Sequence, residues 1–167
     1  MKRFTVAESR LPGDTVTEQA RQQRVKMCSP RKWFKGAFCI STDPHQLDKA
    51  FILAAEIMQD MDKRHMALAF SNSLCFGLYR NDRQIGFARV VSDFACTAFI
   101  HDIFISPEYR FIGMGSWLLQ CCLAHPAVRS CRRIIHLHAE PAGFFSKNGF
   151  VASELTAGVY LSVKALH

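Results

Sequence analysis

The sequence predicts a single α/β domain, and three features carry that expectation. Two apolar runs, residues 73–79 and 84–93, flank Asn81-Asp82, the pattern of a tight hairpin. A third run, residues 98–106, stops at Ser106-Pro107 and leads through a glycine-bearing turn into an amphipathic stretch ending near His125. Short apolar runs at residues 133–138 and 158–164 then alternate with helical segments. At 167 residues and 49% apolar composition, the chain suits one core.

The remaining elements follow in chain order. Residues 1–35 read as a basic N-terminal extension and residues 36–167 as the folded domain. Within the extension, residues 17–27 suit a polar helix, bounded by Pro12-Gly13 and Ser29-Pro30. Residues 37–41 predict a first strand. Asp43-Pro44 starts a helix expected to run to about Met58, with proline at an early helical position. A shorter helix is expected over residues 62–70. After the hairpin and the third strand, the helix of residues 113–125 places Met114, Leu118, Cys121, Cys122 and His125 at helical spacing, facing the core. A strand at 133–138, a short helix at 141–147 and a last strand at 158–164 complete the chain.

Composition narrows the function classes. The net charge of +7 is concentrated in residues 1–35, where nine Lys and Arg meet only Glu8, Asp14 and Glu18. That arm carries no aromatic stacking platform and reads as a solvated extension, while the near-neutral remainder argues against a dedicated nucleic-acid enzyme. No apolar run reaches the roughly 18 residues of a membrane span, and no h-region follows the basic start. The seven cysteines show no zinc-type spacing, so no metal is expected and reduced thiols in a cytoplasmic protein are the simple account.

The turn after the third strand carries the chemistry. Arg110, Gly113 and Gly115 open the helix. Backbone N–H groups at a helix N-terminus lack intrahelical partners and lie at the positive end of its dipole. Glycine lets phosphate oxygens approach the main chain, and arginine adds a fixed donor fork. The arrangement suits a pyrophosphate; a plain glycine-rich turn beside a solvated arginine is the alternative.

This loop resembles the acyl-CoA loop of the GNAT superfamily of N-acetyltransferases. Residues 72–79 (NSLCFGLY) and 84–93 (QIGFARVVSD) look like the second and third strands of one bacterial branch of that family, and residues 142–150 (AGFFSKNGF) like its last helix and following turn. The resemblance spans roughly residues 37–163. It implies a mixed, mostly antiparallel sheet flanked by helices and splayed between its fourth and fifth strands, with acetyl-CoA as co-substrate. Pantetheine is then expected along the backbone of Ile103, Phe104 and Ile105. The pyrophosphate is expected on the amides of Phe111, Ile112, Gly113, Met114, Gly115 and Ser116, beside Arg110. His138 matches a position where relatives contact pantetheine.

For the catalytic groups, His101 matches a histidine near the amine in the serotonin acetyltransferase branch and is the first candidate base, a backbone-satisfied strand histidine being the alternative. Asp102 is expected on the opposite face, in a structural role. Glu140 opens the last helix, as a second candidate or as a cap. The sequence departs from the family in four places. Phe111 and Ile112 stand where glycine and a polar residue are usual, and Phe145 stands where a tyrosine protonates the leaving thiolate. His138, Glu140, Pro141 and Ala142 replace the branch's Thr-x-Asp-Ala-His stretch, and its Tyr-Trp-Ala is missing between Lys49 and Met61. The expected activity is acetyl transfer to an amine, with a small molecule or a peptide as acceptor, by direct attack in a ternary complex. The alternative is an impaired member that binds acyl-CoA as a sensor or interaction protein. A third reading gives the basic arm the leading role in nucleic-acid association. A homodimer is left open.

Overall fold

The structure, a computed structural model, describes residues 14–55, 61–138, 143–156 and 159–165. Among these, eight strands form one sheet in the order β1-β2-β3-β4-β5-β6-β8-β7. Helix α1 (Asp14–Met27) precedes β1 (Lys32–Lys35) and β2 (Phe38–Ser41). Helices α2 (Lys49–Ala54) and α3 (Lys63–Ser71) lead to β3 (Leu74–Arg80), β4 (Arg83–Ser92) and β5 (Thr97–Ile105). Then follow α4 (Met114–Ala124), α5 (Pro126–Arg129), β6 (Arg133–His138), α6 (Gly143–Lys147), β7 (Val151–Thr156) and β8 (Val159–Ala165). All neighbouring strands pair antiparallel except β5 and β6, which are parallel and joined across α4 and α5.

Local chemistry explains several of these elements. The β3–β4 hairpin turns on Asn81 and Asp82, both at positive φ (49° and 62°), as a two-residue turn compatible with strand twist requires. Asp48 caps α2 by accepting from the Phe51 N–H at 3.0 Å, and Asp62 caps α3 by accepting from the His65 N–H at 2.8 Å.

The structure corrects the sequence reading at three points. The helix expected from Asp43 to about Met58 is a 3-10 turn (Pro44–Gln46) followed by the short α2, because Leu47 is extended and Asp48 begins a second cap. The break is pinned to the sheet: the Tyr79 hydroxyl donates to the Gln46 carbonyl, and buried Gln84 accepts from the Asp48 N–H. Met58 itself lies outside the described residues. The sheet also begins before the boundary read at residue 36, since β1 pairs with β2 from Lys32↔Ser41 to Lys35↔Phe38. Lys32 and Lys35 flank this outer strand, a common guard against further strand addition. Finally, β7 is an unforeseen strand, paired antiparallel with β8.

Two apolar layers cover the sheet. On the α4 side lie Ile40, Phe76, Leu78, Val90, Ile100, Ile105, Leu118 and Ile134, among others. On the α2–α3 side lie Ile52, Met66, Cys75 and Phe87, with Phe51 and Phe70 packed on them. Met114, Leu118, Cys121, Cys122 and His125 are all buried, as their spacing predicts. No described helix is long and apolar enough to cross a membrane.

His125, fully buried at the end of α4, accepts from the Ala127 N–H through Nδ1 and is flanked by the Trp33 and Phe76 rings. Its Nε2 has no hydrogen-bond partner among the described residues. Burial, with a smaller contribution from Arg31, lowers its pKa from 6.5 to about 4. The unfolded chain therefore binds a proton that the folded chain excludes. This stabilisation is present above pH 6.5 and is lost as pH falls toward about 4, amounting to roughly 3 kcal/mol at 1.36 kcal/mol per unit. Urea unfolding from pH 7.5 down to 4.5 should show this acid slope, and His125→Phe should flatten it.

Candidate functional site

The site forms where β5 and β6 part. Their parallel pairing runs from Thr97↔Arg133 to Ile100↔His136 and then stops, leaving the rest of β5 without a strand on that side. The Ser106 N–H donates to the Ile85 carbonyl on β4, so the Ile105 carbonyl, anti to it in the same peptide, faces the open side. Strand alternation gives Ile103 the same main-chain orientation. Phe104 instead turns its carbonyl toward Gly86 of β4. This corrects the expectation that all three residues offer backbone to the gap; Phe104 offers its ring, edge-on to Phe51.

At the opening itself, just past Ile100, β5 bulges. Val90 pairs with Ile100 and Arg89 with Asp102, leaving His101 as the extra residue. Ile100 and Ile103 both join the α4-side core, so the alternation changes parity across the bulge. His101 and Asp102 consequently share the α2–α3 side, correcting the expectation of opposite faces. Asp102 is held by Arg89, whose Nε donates to its Oδ2 at 2.6 Å, with side-chain exposures of 13% and 5% respectively. His101 is exposed and lies beside Phe99. Partial burial, then the Arg89 guanidinium, hold its pKa below the usual histidine value, against the opposing Asp102 carboxylate.

The loop after β5 folds back on that strand. Arg110 donates from Nε to the Ile105 carbonyl at 2.8 Å and sets its guanidinium over the Phe104 ring. Gly113 caps α4 at φ +85°, a conformation that favours glycine. Gly115 is needed for a different reason: a Cβ there would stand 3.3 Å from the Phe144 ring. The Trp117 N–H donates to the Gly113 carbonyl, so the amides of Met114, Gly115 and Ser116 precede the first turn's closure and lack intrahelical acceptors.

These pieces line a cleft of about 680 Å³. Of the sequence candidates, Ile103, Phe104, Ile105, Arg110, Phe111, Gly113, Gly115 and Ser116 line it; Ile112 projects to solvent, and the Met114 side chain is buried in the core. His138 ends β6, and Glu140 lies outside the described residues. The cleft also takes in Gly143, Phe144 and Lys147, which the sequence reading passed over. Their signal was the i, i+3 spacing of Phe144 and Lys147 on a short helix. Among the described residues, no three His, Cys, Asp or Glu side chains gather as a metal-binding group.

Phe145, where the sequence departs from a tyrosine, is buried and stacks on His136 at 3.9 Å between ring centroids. His136 in turn donates from Nδ1 to the Ile100 carbonyl at 2.9 Å, bracing the last rung before the strands separate.

Solved acetyltransferases share this fold of a mixed sheet flanked by helices. The model of the acetyltransferase (GNAT) domain matches residues 71–152. A solved GNAT-family protein of Xanthomonas campestris pv. campestris is 34% identical, over 71% of this chain and 86% of its own, with a TM-score of 0.61. The chain belongs to the GNAT acetyltransferase family. The Gibberella zeae protein FG08082 is 29% identical over 152 residues, 74% of this chain and 84% of its own. A GNAT acetyltransferase of Elizabethkingia anophelis, solved with acetyl-CoA bound, shares the fold at 14% identity and a TM-score of 0.56, over 83% of this chain and 97% of its own.

Within this GNAT fold, Phe111 is the outlier of the loop. It sits at φ +62° with its ring fully exposed, so no packing offsets a backbone conformation that costs a non-glycine residue about 1–2 kcal/mol. Phe111→Gly should therefore raise unfolding stability by roughly 1 kcal/mol. Chemical denaturation of the two proteins side by side measures the difference.

Proposed function

We propose that this GNAT protein is an acetyl-CoA-dependent N-acetyltransferase in which the acceptor amine attacks directly within a ternary complex. The observation that carries the reading is the continuity of one cleft from the open edge of β5 to the free amides of α4. Acetyl-CoA supplies the activated acetyl thioester. The main-chain groups of Ile103 and Ile105 receive the pantetheine arm as an added strand, and the amides of residues 111–116 receive the pyrophosphate. Arg110 and Lys147 supply positive charge at that end, with Arg110 already oriented by the Ile105 carbonyl. The distance from Ile105 back to His101 is about 13 Å at 3.3 Å per residue, which brings the reacting end of a pantetheine arm to the bulge.

At the bulge, His101 is the base. Its lowered pKa leaves the imidazole neutral at pH 7, ready to take a proton from the acceptor ammonium. Asp102 is occupied by its ion pair with Arg89, which leaves His101 as the exposed side chain of the two. His138, which ends β6, and Glu140, outside the described residues, remain candidates, and the strand motifs favour the bacterial branch named above. Residues 1–31 are best read as an appendage to the catalytic unit, and the acceptor is a small amine or a peptide.

One observation favours a second reading, a GNAT protein that binds acyl-CoA without turnover. Buried Phe145 carries no proton for the departing thiolate and fills its place by stacking on His136. Titration calorimetry with acetyl-CoA, followed by thiol release against a panel of amines and peptides, separates the two. Acceptor-dependent release establishes the transferase; binding without release across the panel establishes the sensor.

Two variants test the assigned roles. Arg110→Ala should weaken acetyl-CoA binding by about ten- to a hundredfold, the weight of a charge-assisted contact; an unchanged dissociation constant overturns the placement of the pyrophosphate. His101→Ala should lower kcat by about 10²–10⁴ while leaving acetyl-CoA affinity intact. In the parent protein, kcat/KM should fall only below pH 6.5, because the pKa is lowered, and that limb should vanish in the variant.

A further inference from the structure

A second cavity of about 470 Å³ opens on the far side of β3, and no residue of the cleft lines it. It exists because β2 pairs with β3 only as far as Ser41↔Gly77, after which Thr42 and the 3-10 turn diverge from Leu74 and Cys75. Helices α1 and α3 and the β4–β5 turn close the remaining sides. We propose that this cavity is a ligand site for a small organic anion with an aromatic or aliphatic body.

The charge of the lining points to an anion. Among the described residues, Arg24 and Lys49 are the charged ones lining it, no carboxylate lines it, and neither cation is ion-paired. Cys75 adds no negative charge, since burial raises its thiol pKa to about 11. The walls point to the apolar body: Leu47, Phe70 and Phe94 line the space, whose volume lies in the range of about 300–1,000 Å³ of small-molecule sites.

Phe94 gives the independent indication that this wall is built. It sits at φ +64°, a conformation rarely adopted by a bulky L residue. Its neighbours hold it there from every side. Its N–H donates to Ser92 Oγ at 2.9 Å, and its carbonyl accepts from Ser130 Oγ at 2.9 Å. Asp93 Oδ1 accepts from the N–H groups of Ala95, Cys96 and Thr97 at 2.8–3.0 Å, which lowers the carboxyl pKa and keeps the turn charged and closed. Backbone strain fixed this thoroughly gathers at ligand sites. Here it presents the ring to the Arg24 guanidinium, 5.2 Å from the ring centroid, so that an aromatic floor and a cation meet at the cavity mouth.

The probe is 3-phenylpropanoate, set against its neutral amide, 3-phenylpropanamide, in calorimetric titration of the full chain with and without saturating coenzyme A. Saturable carboxylate binding is expected, with the amide at least about tenfold weaker and no displacement by coenzyme A. Arg24→Gln and Lys49→Gln, both at exposed positions, should each erase most of the preference for the carboxylate. Phe94→Gly, which suits the backbone conformation, should weaken both probes alike. Equal binding of acid and amide, displacement by coenzyme A, an unaltered preference in Arg24→Gln, or no saturable binding at millimolar probe would each overturn the assignment.

Discussion

The rest of the structure depends on one interrupted strand pairing. After Ile100↔His136, β5 and β6 no longer share hydrogen bonds, and the outward main-chain groups of Ile103 and Ile105 must find partners elsewhere. The fold meets part of this demand itself, since Arg110 takes the Ile105 carbonyl. What remains, among the described residues, is a stretch of backbone edge on an interior strand of the sheet. The opening is braced from both strands: His136 donates across to the Ile100 carbonyl, and Phe145 stacks on that imidazole while meeting Phe144 and Phe150 edge-on.

The bulge at His101 is the companion of that opening. An extra residue in β5 raises local twist and turns His101 and Asp102 to one side, where the buried Arg89–Asp102 pair takes up the charge. A pair this buried adds little net stability compared with an apolar replacement, but it fixes the position of the Asp102 side chain beside the gap. His101 is left exposed beside that pair.

Backbone strain sits at the mouths of both cavities. Phe111 and Phe94 are aromatic residues at positive φ, one on the loop between β5 and α4 and one on the β4–β5 turn. They differ in support. Phe94 is bonded through its own N–H and carbonyl and through the flanking Asp93, whereas Phe111 is fully exposed. The departure at Phe111 leaves the main-chain amides of the loop in place, because any side chain would. The departure at Phe145 has a different cost, because the function of a tyrosine hydroxyl resides in the side chain alone.

Much was legible in local pattern. The hairpin around Asn81-Asp82, the core stripe of α4 and the turn from Arg110 to Ser116 depend on residues close in sequence, whose conformational preferences act within a few positions. Other features were not, and each has a long-range cause. The helix expected to reach Met58 breaks at Leu47 because Tyr79 and Gln84, more than 30 residues away, hold the break open. Strand β7 carries the largely exposed Val151-Ala152-Ser153-Glu154 and has no period-2 apolar signal to read. Alternation cannot announce a bulge, so the shared face of His101 and Asp102 stayed hidden until β4 supplied the register. By itself, then, the sequence determined the family, the order of most elements and the turn that opens α4, because these are written in neighbouring residues. Only the tertiary structure decided where β5 loses its partner, which main-chain groups face the gap and where the second cavity opens, because each is a property of distant strands meeting or failing to meet.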